Sequence, residues 1–178
     1  KKKANNFYLK LGSVGQIINV QKSAFGNKDN ISFTINTGIF VPEYWLAFYD
    51  YNDKGLPDYP TEPECLIRKR IGTFINRQDT WYDINERSDE AQLISEMRRN
   101  LTEYILPHFS RLNNIERLIQ ELDSADMIIS PLEKLILYGE FKQFDKAKRE
   151  YESLLKNKTN PYFLITVKDY GQKYGLNR

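Results

Sequence analysis

Two arginines one residue apart, Arg68 and Arg70, are the first place in this sequence where side-chain types and spacing suggest chemistry. In an extended segment, residues i and i+2 point the same way, so both guanidiniums would meet one surface. Asn19, Gln21 and Ser23 alternate in the same manner in an earlier segment, as do Thr34 and Asn36 in another. If these segments pair as strands, amides, hydroxyls and two guanidiniums gather on one sheet face. Guanidinium forks match carboxylates and phosphates in shape and charge, so the face suits an anionic or amide-bearing ligand. A competing reading is a polar face left to water, as antiparallel sheets often have. A third is an arm over residues 41–64 whose Glu62 and Glu64 fold across the face and pair the arginines.

Little else is spaced for catalysis. The chain has one cysteine, Cys65, and one histidine, His108, so it can form neither an intrachain disulfide nor a Cys/His zinc site. No EF-hand spacing is present, and no metal is expected. Cys65 lies near Ile67 in an apolar strand and reads as a buried, inert thiol. His108 follows Pro107 at the end of an amphipathic helix and reads as a surface or helix-end residue, since a catalytic histidine needs a positioned partner. There is no phosphate-binding or dinucleotide-binding glycine loop, no nucleophile elbow, no HExxH and no CxxC, so no cofactor is expected. The 24 acidic residues include no pair that stands apart from solvated faces.

A length of 178 residues fits one domain, or one domain with a helical extension. Hydrophobic residues make up 40% and aromatics 13%, enough for a packed core. No stretch reaches the ~18 apolar residues of a membrane span, and no signal-peptide pattern appears, so no membrane partner is expected. The lone cysteine fits a reducing compartment, and a cytoplasmic location is expected. The chain does not start with methionine, so an earlier segment is expected. The net charge of +2 is unevenly spread: residues 1–30 carry six Lys and one Asp, whereas 31–140 carry eleven basic and nineteen acidic residues. Residues 141–178 are basic again. A nucleic-acid binder shows a coherent basic excess, so nucleic acid ranks last among partners.

These candidates need strands to hold them. Phe7, Leu9 and Leu11 alternate with polar neighbours, Gly12-Ser13 gives a two-residue turn, and Val14 to Ser23 continues as a strand. That turn places Phe7 opposite Ile18 and Leu9 opposite Gln16, and it predicts one buried face of Phe7, Leu9, Leu11, Val14, Ile18 and Val20. A third strand spans Ile31 to Phe40, and two more lie near Cys65–Ile71 and Thr80–Ile84. Prolines break residues 41–64, read as a helical turn near 43–49 and then an irregular aromatic arm packed on the sheet. The second half is helical. One helix is capped at Ser88, with Ile94, Met97, Leu101, Tyr104 and Ile105 inward and Pro107 just beyond its end. Another starts at Asn113, with Ile115, Leu118, Ile119 and Leu122 inward. Ser130-Pro131-Leu132-Glu133 is a capping box for a third, ending near Gly139. Two more run from about Phe144 to Lys156 and from about Phe163 to Tyr174. Residues 131–156 are expected to form a helical hairpin with Tyr138, Ala147 and Tyr151 at its inner contact. The predicted class is α+β: an antiparallel sheet of about five strands in the N-terminal half, packed with C-terminal α-helices. Residues 1–123 form the sheet-plus-helix domain and 127–178 a helical extension, with Asp123-Ser124-Ala125-Asp126 between them.

The segments Asn5-Asn6-Phe7-Tyr8, Ile18 to Ser23, Phe33 to Gly38, Arg68 to Gly72 and Trp81 to Ile84 occur in an order that resembles a bacterial family, domain of unknown function 4304, over roughly residues 5–110. The resemblance implies no activity. Tyr138, Phe144, Ala147, Tyr151 and Leu154 also resemble one tetratricopeptide helix pair, with Lys142 in place of the inter-helix glycine and Pro161 two residues late. Solenoids need about three repeats, so this is read as a single hairpin. The function expected is a non-enzymatic module that binds another bacterial protein, of an accessory or immunity type. The alternative is a small-ligand binder or enzyme acting on an anionic substrate at the Arg68/Arg70 face. A closed pocket beside those arginines favours the second reading, and an apolar patch favours the first.

Overall fold

The computed structural model describes residues 2–50, 53, 55–75, 79–122, 129–156 and 160–177. The chain forms two compact units, one from Lys1–Val41 with Pro57–Leu118, the other from Pro42–Leu56 with Ile119–Arg178. The 123–126 linker lies outside the described residues.

The first unit holds an antiparallel sheet. Its strands are β1 Lys2–Lys3, β2 Asn6–Leu11, β3 Val14–Lys22, β4 Asn30–Phe40, β5 Ile67–Arg70 and β6 Tyr82–Asn85. The order is β1-β2-β3-β4-β5, and β6 also pairs with β4. Strand β4 is long enough to take β6 at Asn30–Phe33 and β5 at Asn36–Ile39 on the same side. The hairpin has the predicted register, with Phe7 opposite Ile18, Leu9 opposite Gln16 and Leu11 opposite Val14. One face carries Ile35, Ile39 and Ile67, all buried, because the helices that follow β6 cover it. Phe7 and Leu9 share that face but are 44% and 55% exposed, against the expectation that the whole face is buried. They belong to β2, at the hairpin's outer side, where alternation sets their direction but supplies no cover.

The helix α3 Glu90–Asn100 is capped by Asp89, whose carboxylate accepts from the Gln92 N–H at 3.0 Å. Ser88, the expected cap, is engaged one turn earlier, accepting from the Asn85 N–H at 2.9 Å. The chain does not stop at Pro107. A proline ring lacks an N–H and crowds the carbonyl four residues back. Here a π turn, Leu101–Ile105, precedes it, with the Leu106 N–H reaching back five residues to Leu101 O, and the helix continues as α4 Leu106–Arg111. The wider turn rotates the faces on either side. Ile94 is consequently exposed, whereas Asn100 is buried and donates to the Tyr82 hydroxyl at 2.9 Å. A short helix, α2 Ile71–Phe74, follows β5. The helix α5 Ile115–Leu122 buries Ile115, Leu118, Ile119 and Leu122 as expected, and its cap is Asn114, which accepts from the Arg117 N–H at 2.9 Å.

The second unit is helical: α1 Pro42–Phe48, α6 Pro131–Glu140, α7 Phe144–Lys156 and α8 Pro161–Lys173. The capping box forms, with the Ser130 N–H donating to Glu133 Oε2 at 2.6 Å. Helices α6 and α7 make the expected hairpin, burying Tyr138, Ala147 and Tyr151. Helix α6 ends at Glu140, next to Gly139 as expected, and a Cβ on Gly139 would sit 2.4 Å from the Tyr174 ring. The turn is made by Lys142 at φ +57°, a conformation that disfavours a side chain. Asn160 caps α8, accepting from the Tyr162 N–H at 2.9 Å, so α8 starts two residues before its expected position. Helix α1 joins this unit through Tyr170, whose hydroxyl donates to Ala47 O at 2.8 Å. Among the described residues, no helix is long and apolar enough to cross a membrane.

Candidate functional site

The strand registers bring most of the predicted polar residues together. Asn19 is opposite Asn36, Gln21 opposite Thr34, Asn36 opposite Arg70, and Gly38 opposite Arg68, so all these residues share the face away from the α3–α4 helices. Ser23 lies past the end of β3 and uses its hydroxyl to accept the Phe25 N–H at 3.1 Å. Across the strands the amides form a directed chain. Arg70 Nε donates to Asn36 Oδ1 at 3.1 Å, Asn36 Nδ2 to Asn19 Oδ1 at 3.1 Å, and Asn19 Nδ2 to Asn6 Oδ1 at 3.0 Å. Asn36 Nδ2 also donates to Gln21 Oε1 at 2.9 Å. Thr34 is buried and donates to Thr80 O at 2.7 Å.

Both arginines meet carboxylates of their own chain. Arg68 grips Glu62 with two bonds, Nε to Oε1 at 2.7 Å and Nη2 to Oε2 at 3.2 Å. Arg70 Nη1 donates to Asp79 Oδ1 at 2.7 Å, and its guanidinium carbon lies 5.6 Å from the Trp81 ring centroid. Trp81 Nε1 donates to the other Asp79 oxygen at 2.9 Å, and the Trp81 and Arg70 bonds together hold that carboxyl below the usual carboxylate range. The arm therefore reaches the sheet as foreseen, but only Glu62 pairs an arginine. Glu64 closes a capping box on Thr61, accepting its N–H at 2.7 Å. Asp79 and Trp81 were not singled out in the sequence, because nothing in their spacing ties them to Arg70.

Cys65 sits at the end of a short helical turn, Glu62–Glu64, and not in a strand. The turn presses on the sheet centre where Gly38 leaves room, since a Cβ on Gly38 would lie 2.4 Å from Cys65 Sγ. Burial pushes the thiol well above its ordinary pKa, so little thiolate is available. His108 is 3% exposed, contrary to the surface role expected of it. The helix continues past Pro107 and carries the imidazole inward, to 5.0 Å between ring centroids from Phe74. Burial, then the Lys69 and Arg111 charges, push its pKa down to about 4. Lys69 points opposite to the arginines, as expected, with Nζ 5.7 Å from the Phe74 ring centroid. Among the described residues, no three His, Cys, Asp or Glu side chains are placed to hold a metal ion.

On the helix-bearing side of the sheet lies an open groove of about 530 Å³, between the β2–β3 hairpin and α4. Phe7, Leu9, Ile18, Leu106 and Phe109 supply its apolar lining, with contributions from Tyr8 and Gln16. Leu106 is 51% exposed, and with Phe7 and Leu9 it forms a water-facing apolar rim. Phe109 is the buried floor, fixed to the sheet by Gln16 Nε2 donating to its carbonyl at 2.8 Å. The groove depends on Leu106 and Phe109 facing the hairpin, and so on the π turn that rotates α4. Alternation in β2 is the sequence signal for it, and alternation alone does not distinguish this rim from buried core.

No curated protein matches this chain, and no solved structure matches it. The sheet, the arginine strand and the helix through α4 fall within residues 1–111, the stretch matched by the family described as "Domain of unknown function (DUF4304)". That stretch is well over half of the 178 residues, and the chain belongs to this family.

Proposed function

We propose that the chain is a non-enzymatic protein-binding module, of an accessory or immunity type, and that the groove between the hairpin and α4 is its binding surface. The observation that carries this reading is the apolar rim of Phe7, Leu9 and Leu106, three large side chains left facing water around one concavity. Contiguous exposed apolar surface of this kind marks interaction sites. The arginine strand supports the reading indirectly, since Arg68 and Arg70 each have a carboxylate partner from their own chain. A cytoplasmic bacterial setting goes with this reading, supported by the single buried thiol and the family resemblance.

A second reading keeps the alternative of an anionic substrate or ligand at Asn19, Gln21, Ser23, Thr34, Asn36, Arg68 and Arg70. The gathering of most of these on one face supports it. To bind there, an anion would have to compete with Asp79 for Arg70 and with Glu62 for Arg68, each already held at 2.7 Å. The test is substitution on each surface. Leu106→Asp and Leu9→Asp replace exposed side chains and should leave the fold intact while abolishing partner binding. Retained binding in both variants, with loss in Arg70→Ala, reverses the assignment.

A further inference from the structure

Helices α7 and α8 of the second unit border an open concavity of about 510 Å³. Glycine at 171 lets α8 rest on the Tyr151 ring, where a Cβ would lie 2.3 Å from it. The Tyr151 hydroxyl donates to Asn177 Oδ1 at 2.6 Å, so the ring is a fixed, buried floor. Longer side chains of both helices form the walls. They carry charges of both signs, Lys148 and Glu152 on α7, Lys168 and Asp169 on α8. All four are exposed, and none forms an ion pair with another described residue. Lys173 of the same helix does, meeting Glu140 at 2.6 Å.

Apolar side chains stand among these charges. Leu155, three residues after Glu152, lines the concavity and is 37% exposed. Ile165 lies three and four residues before Lys168 and Asp169, hence on the same face of α8, and is 56% exposed. A partner of one charge sign would be attracted by two of the four charged groups and repelled by the other two. A small zwitterion would meet the charges and leave Ile165, beyond the lining, in water. A surface with the same mixture satisfies all of them, and the chain itself carries one. In a two-fold contact, residue i of one copy meets residue j of the other and j meets i, so every complementary pair forms twice.

We infer that this chain associates with a second copy of itself through α7 and α8, with Lys148 and Lys168 of each copy facing Glu152 and Asp169 of the other around Leu155 and Ile165. The association goes beyond the protein-binding reading and does not depend on it.

Sedimentation equilibrium of the full chain, from low to high micromolar concentration, tests this. The wild type should show a monomer–dimer equilibrium that Ile165→Asp abolishes. Two charge variants then probe the symmetry. Glu152→Lys with Asp169→Lys makes the face all positive, and Lys148→Glu with Lys168→Glu makes it all negative. Each alone should dimerise at least about tenfold more weakly than the wild type at low salt, by self-repulsion, and an equimolar mixture of the two should recover the dimer. Thermal melts check that each variant is folded. The single swaps Lys168→Glu and Asp169→Lys, mixed in the same way, serve if a double variant does not fold. A wild type that stays monomeric throughout overturns the inference. So does a dimer that these variants leave unchanged, or one that they abolish and their mixture does not restore.

Discussion

Acid should destabilise this protein through one residue, His108, before general carboxylate protonation takes over. It is the only histidine in the chain, so its titration is not overlaid by another imidazole. In the folded state its pKa is pushed down to about 4, first by burial and then by the Lys69 and Arg111 charges. In the unfolded chain it takes up a proton near pH 6.5. The folded protein thus holds the neutral ring while the unfolded chain gains a proton. Stability is complete above about pH 6.5 and falls as pH drops toward 4, by up to ~1.4 kcal/mol per pH unit. By pH 5 the loss is roughly 2 kcal/mol, or about 4–8 °C in Tm for a chain of this length. Thermal melts from pH 7.5 to 5, compared with His108→Gln, isolate the effect, because the variant keeps every other titrating group. The wild type should lose about 2 kcal/mol more than the variant over that range. Parallel curves for the two proteins, or an NMR titration placing His108 at 6.5 or above, would refute the reasoning.

Four further outcomes follow from the packing. Gly38→Ala should cost roughly 1–3 kcal/mol in chemical denaturation, because its new methyl meets Cys65 Sγ and the strand cannot move away. A thiol reagent should label Cys65 slowly in the native protein and at once in denaturant, because the thiol is buried and its pKa raised. Lys142→Gly should raise stability by roughly 0.5–1 kcal/mol by relieving a left-handed backbone, and an unchanged Tm would argue against strain there. The pair Arg68→Ala and Arg70→Ala should cost about 1–3 kcal/mol through Arg68, whose loss leaves the 10%-exposed Glu62 side chain without its guanidinium, and little through Arg70, whose Asp79 partner is 50% exposed and well screened. A larger drop would mean that the amide chain through Asn36 holds the sheet more tightly than its exposed end implies.

Much of the fold could be read from local patterns. A turn of two residues fixed the register between Phe7 and Ile18, and that register in turn set which side chains share a face. The Ser130–Glu133 box and the prolines at helix starts are local in the same way. What escaped the sequence depended on distance. A proline in the sequence predicts the end of a helix, but the π turn at Leu101–Ile105 absorbs Pro107, rotates α4 and buries His108. Period alone cannot show that β2 lies beyond the cover of the helices, so Phe7 and Leu9 read as core. The polar face was found because parity is local, and Asp79 was missed because its pairing to Arg70 arises only when the chain returns to the sheet.

The central claim concerns which of two surfaces binds. The direct measurement is the backbone amide NMR footprint of a display-selected peptide on the full chain. The account predicts shifts at Phe7, Leu9, Ile18, Leu106 and Phe109, all absent in Leu106→Asp. A footprint on Asn19, Gln21, Asn36 and Arg70, with the groove residues unmoved, would contradict it.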